Sequence, residues 1–280
     1  MPIHDQSYRR YQGDRAPQGR AWAVIATSGI KQMLAKKKFL ALLVLSWLPF
    51  VVRAVQMYVS ANFSQAADFL APSPSTFRSF LDFQEVFVFF ITIFTGAGLI
   101  ANDMRANALQ IYLAKPMSRF EYIAGKFAVL AFFLLLVTWL PATMLLVTQI
   151  VFAGNLTFLA ANLYLIPAIL VATVIEAVVL SMVMLALSSL SKSARFVGIM
   201  YAGALFFTQG LYGVVYVVTR STGFTWISPA ATLQNLHDVL FRVPQRFDTP
   251  GWVSALVLAV IVGLSALVLE RRVRGVEVVT

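Results

Sequence analysis

The chain has 280 residues, of which 59% are hydrophobic and only 12% charged, with a mean hydropathy of +0.78 and a net charge of +10. Such a composition excludes an ordinary soluble domain and points to a protein that crosses a membrane several times. The basic excess does not signal nucleic acid, because the cations are dispersed over helix ends with no aromatic-interleaved groove, and there is no cysteine for a disulfide or a thiolate metal site.

In chain order, residues 1–20 are polar and carry Arg9, Arg10, Arg15 and Arg20, which reads as a disordered arm without the apolar core of a cleavable signal. From there Trp22, Ile25, Ala26, Gly29, Ile30, Met33 and Leu34 recur at one helical stripe. Lys31, Lys36, Lys37 and Lys38 stand beside it, so an interfacial helix is expected. Six apolar runs long enough to cross ~30 Å of hydrocarbon follow, near Phe39–Val59, Phe83–Ala101, Phe127–Phe152, Leu163–Leu190, Phe196–Val218 and Trp252–Leu269.

Of the 22 Lys and Arg residues, 17 fall on the side of the two termini. Only Arg78, Arg220, Arg242 and Arg246 fall on the other side, so both termini are expected in the cytoplasm. The expected fold is all-α: a polytopic membrane protein of six transmembrane helices with an N-terminal interfacial helix and a cytoplasmic coupling helix. The expected organisation is an arm over 1–20, one six-helix domain over 21–270 and a short cytoplasmic tail over 271–280.

Between the second and third spans lies a charged insert, Asn102 to Lys126. Asp103 to Ala114 reads as a short amphipathic helix with Leu109, Ile111, Tyr112 and Leu113 to bury, stopped by Pro116, which has no N–H for the helical ladder. A second helix starts at once. Ser118 and Glu121 form an S-x-x-E capping box, with Met117 and Tyr122 as a hydrophobic staple around it, so this helix runs straight into the third span. Between the fifth and sixth spans, Ser228 as N-cap and Pro229 at the first helical position precede Leu233, Leu236, Leu240 and Val243, and Pro244 terminates. That pattern predicts an amphipathic helix dipping into the outer leaflet.

Within the spans, Glu176 stands out, because a carboxylate at membrane depth costs ~2.5 kcal/mol or more unless it is paired, protonated or wetted. It marks either a polar patch in a translocation pathway or an interhelical hydrogen bond. Arg53 is expected to snorkel to the headgroups. Pro49, Pro141 and Pro167 should kink spans or free carbonyls, Trp47, Trp139, Trp226 and Trp252 should form interfacial belts, and Gly96-Ala97-Gly98 should allow close packing. There is no G-x-x-x-x-G-K-S/T stretch, no nucleophile elbow and no pair of histidines able to share a metal, since His4 and His237 fall on opposite sides of the membrane. Neither an enzyme nor a resident cofactor is expected.

The stretch Lys115, Pro116, Met117, Ser118, Arg119, Phe120, Glu121, Tyr122, Ile123, Ala124, Gly125, Lys126 resembles the first cytoplasmic loop of ABC-2-type transporter permeases, in which a coupling helix precedes such a motif. Family members more often carry Glu and Gly-Thr-Leu where this chain has Asn102, Asp103, Asn107, Ala108 and Leu109. The resemblance implies the membrane-spanning subunit of an ABC exporter in a bacterial cytoplasmic membrane. It would pair with a second permease subunit and with cytoplasmic ABC ATPases among membrane lipids, with Asp103, Leu109, Ile111, Tyr112, Leu113, Pro116, Ser118, Arg119 and Glu121 coupling it to the ATPase. Two other classes stay open on the residues alone: a self-sufficient carrier or channel, and a non-transporting scaffold.

Overall fold

In a computed structural model, residues 21–63, 70–108 and 118–273 are described, and every regular element among them is helical. Six helices are long and apolar enough to cross a membrane: Lys37–Asn62 (TM1), Pro74–Arg105 (TM2), Arg119–Ala153 (TM3), Leu165–Ser188 (TM4), Ala194–Thr219 (TM5) and Gly251–Arg272 (TM6). The all-helical, six-span architecture expected from hydropathy is therefore the architecture found. TM4 forms the centre, with 61% of its apolar stretch buried, whereas TM5 is enclosed over only 6% and faces outward. The 1–20 arm and the end of the tail lie outside the described residues.

TM2 starts at Pro74, nine residues before the apolar run. Ser73 is its N-cap, and the Thr76 hydroxyl accepts the Ser73 N–H at 3.1 Å. Hydropathy ends a span at the first charges, but Arg78 and Asp82 lie one turn apart and form an ion pair, so the helix carries both of them inward.

Three spans are broken, and in each case neighbours satisfy the freed backbone. TM1 breaks at Ser46–Trp47 just before Pro49, and TM3 breaks at Thr138 just before Pro141. Proline at 141 cannot donate to the Val137 carbonyl one turn back. Gln84 of TM2 supplies the missing donor, its side-chain amide reaching Val137 O at 2.6 Å and Ser46 O at 2.8 Å. Such repair by a neighbouring helix is what makes a broken helix tolerable at membrane depth. Trp47 and Trp139 thus sit at these breaks rather than at the span ends where belts were expected, and Pro167 lies harmlessly in the first turn of TM4.

The third break is in TM2, where a π-helical turn, Thr92–Gly96, leads through residues 97–100 into a last helical piece, Ala101–Arg105. A Cβ on Gly96 would lie 2.4 Å from Met184 Cγ, so glycine is what lets this turn press on TM4. Ser188 at the end of TM4 donates to Ala97 O at 2.9 Å and accepts from the Ile100 and Ala101 N–H groups at 3.1 and 3.0 Å. One hydroxyl closes the interrupted ladder.

The expected N-terminal helix spans Ala21–Leu34 and packs across the first half of TM3, where Gly29 meets Val129. A helix of 12 residues, Pro229–Leu240, here the cap helix, lies at the opposite end of the bundle, between TM5 and TM6.

Candidate functional site

At the lysine-rich end, the capping box expected from Ser118-x-x-Glu121 is formed. Ser118 Oγ accepts the Glu121 N–H at 3.1 Å, and Glu121 Oε2 accepts the Ser118 N–H at 3.0 Å. The helix that starts here runs unbroken to Val137. Four residues into it, Tyr122 is fully buried and donates its hydroxyl to Asp103 Oδ2 at 2.7 Å. One turn further, the Lys126 ammonium reaches the same oxygen at 2.7 Å. Asp103 belongs to the final helical piece of TM2, so these bonds lock the end of TM2 to the start of TM3.

This corrects the expected helix from Asp103 to Ala114. Asp103 is the close of TM2, and Asn107, with φ of +52°, turns the chain out of the helix two residues after Arg105. Asparagine tolerates that left-handed conformation better than most residues. Leu109, Ile111, Tyr112, Leu113 and Pro116, proposed as the docking face and its stop, lie outside the described residues, as does Met117 of the expected staple. Arg119 is the first residue of the TM3 helix.

Gly125 completes the joint. A Cβ there would come 2.8 Å from Ile25 Cβ and 2.9 Å from the Trp22 carbonyl oxygen, so only glycine allows the N-terminal helix to lie across TM3 at this point. The Tyr-x-x-Gly-Lys part of the motif thereby acquires a physical meaning: Tyr122 and Lys126 grip TM2, and Gly125 admits the N-terminal helix.

The opposite end holds a second polar assembly, which hydropathy did not predict. Arg78, 3% exposed, donates through Nε to Asp238 Oδ1 at 2.7 Å and through one terminal nitrogen to the Gln234 carbonyl at 3.1 Å. Arg246 donates to both oxygens of Asp238 at 3.0 Å and reaches Asp82 at 3.3 Å. Gln234 donates to both carboxylate oxygens of Glu85 at 3.1 Å. TM2 therefore presents Arg78, Asp82 and Glu85 on one face, and the cap helix answers with Gln234 and Asp238.

The cap helix begins as expected, with Ser228 Oγ accepting the Ala231 N–H at 3.3 Å and Leu233 and Leu236 buried. It does not expose a polar face, however: Asn235, His237 and Asp238 are buried as well, at 2% exposure or less. The picture of a helix dipping into lipid is corrected to one enclosed by protein. His237, expected in a loop, is packed near the Ala172 backbone of TM4, and its burial together with the nearby Arg78 charge pushes its pKa down to about 3. Arg53 has protein partners. It donates to Gln56 Oε1 and to Ser79 Oγ, both at 2.8 Å, and ties TM1 to TM2.

Glu176 lies inside TM4, 5% exposed, and makes no hydrogen bond or ion pair among the described residues. Its charged surroundings are Glu85, Arg78 and Asp82. No group of three or more potential metal ligands occurs among the described residues.

A family model described as ABC-2 family transporter protein matches residues 23–272. The chain belongs to the ABC-2 transporter family. This match extends from the N-terminal helix to the end of TM6 and takes in both polar assemblies, far beyond the short motif that carries the resemblance. The protein is thus a multi-pass membrane permease of an ABC transporter, a transport component rather than a catalyst. A comparison with curated proteins finds no match.

Proposed function

We propose that this ABC-2 permease forms the translocation pathway of an ATP-driven exporter, as a dimer coupled to a separate cytoplasmic ATPase. The observation that carries this reading is the joint at Asp103, Tyr122 and Lys126. It fastens the two helices that flank residues 104–121, so a force applied to that segment has no slack to take up before it reaches TM2 and TM3. The charge distribution supports placing both termini and this joint in the cytoplasm of a bacterial inner membrane, with the cap helix on the far side. Leu109, Ile111, Tyr112 and Leu113 then form the face that docks on the ATPase. Pro116 ends that element, and Ser118, Arg119 and Glu121 start the helix that carries the displacement onward. Asp103 acts as the anchor.

Glu176 is assigned to the pathway, because a carboxyl group buried without a partner in one protomer is costly to keep for packing alone. Glu176→Gln is expected to fold normally, and Glu176→Leu to reduce transport or dimer stability. The docking claim is tested by co-purification with the ATPase, in which truncating Tyr112 and Leu113 to Ala should remove contacts worth roughly 1–3 kcal/mol together. Undiminished ATPase binding by that double variant would show that the docking face lies elsewhere.

A further inference from the structure

A cleft of about 900 Å³ opens at the lysine-rich end between the N-terminal helix, the π-turn of TM2 and the start of TM5. Its rim is cationic. Lys36, Arg195 and Lys126 line it together with Asp103, but Lys126 and Asp103 neutralise each other at 2.7 Å. Neither Lys36 nor Arg195 has a carboxylate partner among the described residues. The Lys36 ammonium instead lies 3.3 Å from Met33 Sδ and 5.9 Å from the centre of the Phe94 ring.

The inner wall is apolar, built from Ile93, Phe94, Ile199 and Ala202. Ser28, Gln32 and Asn102 also line the cleft, and among the apolar residues Thr95, 2% exposed, has a hydroxyl with no hydrogen-bond partner among the described residues. A buried hydroxyl left without a partner costs free energy unless something else bonds to it. Two unpaired cations over a greasy wall, with a spare donor inside, match a molecule that carries an anionic head on an apolar tail.

We propose that this cleft binds an anionic phospholipid of the leaflet at the lysine-rich end. Its headgroup phosphate sits between Lys36 and Arg195, and the start of its acyl chains lies against Phe94 and Ile199. Basic pockets between membrane helices recognise lipid headgroups in this way, and the volume falls within the range of small-molecule sites. The proposal is independent of the ATPase.

The test reconstitutes the full chain into vesicles of equimolar phosphatidylglycerol and phosphatidylcholine, extracts it in mild detergent and counts retained lipids by native mass spectrometry. Wild type should retain phosphatidylglycerol in preference. Lys36→Ala and Arg195→Ala should each lower that retention about fivefold. Lys37→Ala with Lys38→Ala, whose side chains do not line the cleft, should leave it unchanged, and Lys36→Arg with Arg195→Lys should preserve it. No preference in the wild type would overturn the proposal without reference to any variant. An equal loss in the Lys37/Lys38 control would also overturn it, by showing general surface charge, as would release of the lipid by inorganic phosphate, which would show a soluble-anion site.

Discussion

At the cap-helix end, four charged side chains close on one another: Asp238 is shared by Arg78 and Arg246, and Asp82 touches both arginines. At the lysine-rich end a single carboxylate, Asp103, is held by Lys126 and Tyr122, while Lys36 and Arg195 face an open cleft. Both ends use carboxylates on TM2; the first assembly closes around Asp238, 1% exposed, with Arg246 reaching the surface, whereas the Asp103–Lys126 pair is mostly covered and the exposed charges at that end are Lys36 and Arg195 of the cleft. The difference sets a closed charge network at one end against an open cationic cleft at the other, which supports the proposed binding of another molecule at the second. A buried network fixes one packing of the cap helix on TM2; a rim of partly exposed charges leaves room for a partner.

Breaking the rigid end should have the largest effect. Asp238→Ala leaves the buried Arg78 charge with only Asp82 and the Gln234 carbonyl and removes three bonds of Arg246, and the loss of one partner from a buried pair costs up to about 3–5 kcal/mol. Thermal unfolding in detergent should show this as the greatest destabilisation of any single substitution discussed. A shift no larger than that of an exposed control such as Lys192→Ala would mean that water already satisfies the network.

Gln84→Leu comes next. It leaves the Val137 and Ser46 carbonyls without their donor at two helix breaks, at about 1–3 kcal/mol for each buried group left unsatisfied. Expected is a clear loss of stability with the helical content retained, read by circular dichroism and thermal melting side by side.

His237 sharpens the comparison by pH. Its ordinary value is 6.5 and the folded value about 3, so between these limits the unfolded chain binds a proton that the folded chain refuses. The His237 contribution to stability is therefore full above pH 6.5 and is lost as the pH drops through that window. Between pH 6.5 and 5, above the range where ordinary carboxylates titrate, His237→Asn should flatten the decline; an unchanged slope would place its origin at another group.

Glu121→Ala is the mildest. It opens the capping box at a cost of about 1 kcal/mol at the start of the TM3 helix, leaving Tyr122 and Lys126 on Asp103. Its stability loss should be smaller than that of Gln84→Leu, and the reverse order would show that the helix start is a principal support of the joint.

Much of this was legible in one dimension. Spans and caps are local: Ser118 with Glu121, and Ser228 with Pro229, declare themselves within a few residues because their hydrogen bonds close within one turn. What hid was the pairing across distance. Arg78 and Asp238 stand 160 positions apart, so Arg78 counted only as a charge on the far side and Asp238 passed unmarked within the predicted amphipathic helix. Gln84 carries no local signal of its role, because the carbonyls it serves, Ser46 O and Val137 O, lie 38 and 53 positions away. Tyr122, taken as half of a hydrophobic staple, carries a hydroxyl whose acceptor, Asp103, is 19 positions away. The π-turn in TM2 had only Gly96 as a signal, and a glycine alone does not say which neighbour it admits.

The joint between TM2 and TM3 bears the central claim, and reconstituted permease with its ATPase tests it most directly. ATP hydrolysis and substrate efflux are measured together for wild type and for Tyr122→Phe combined with Lys126→Ala, which frees Asp103 while leaving residues 109–113 unchanged. The account predicts a complex that still assembles and hydrolyses ATP but exports several-fold less substrate per ATP. Efflux per ATP equal to wild type, in a variant that is folded and assembled, would contradict it.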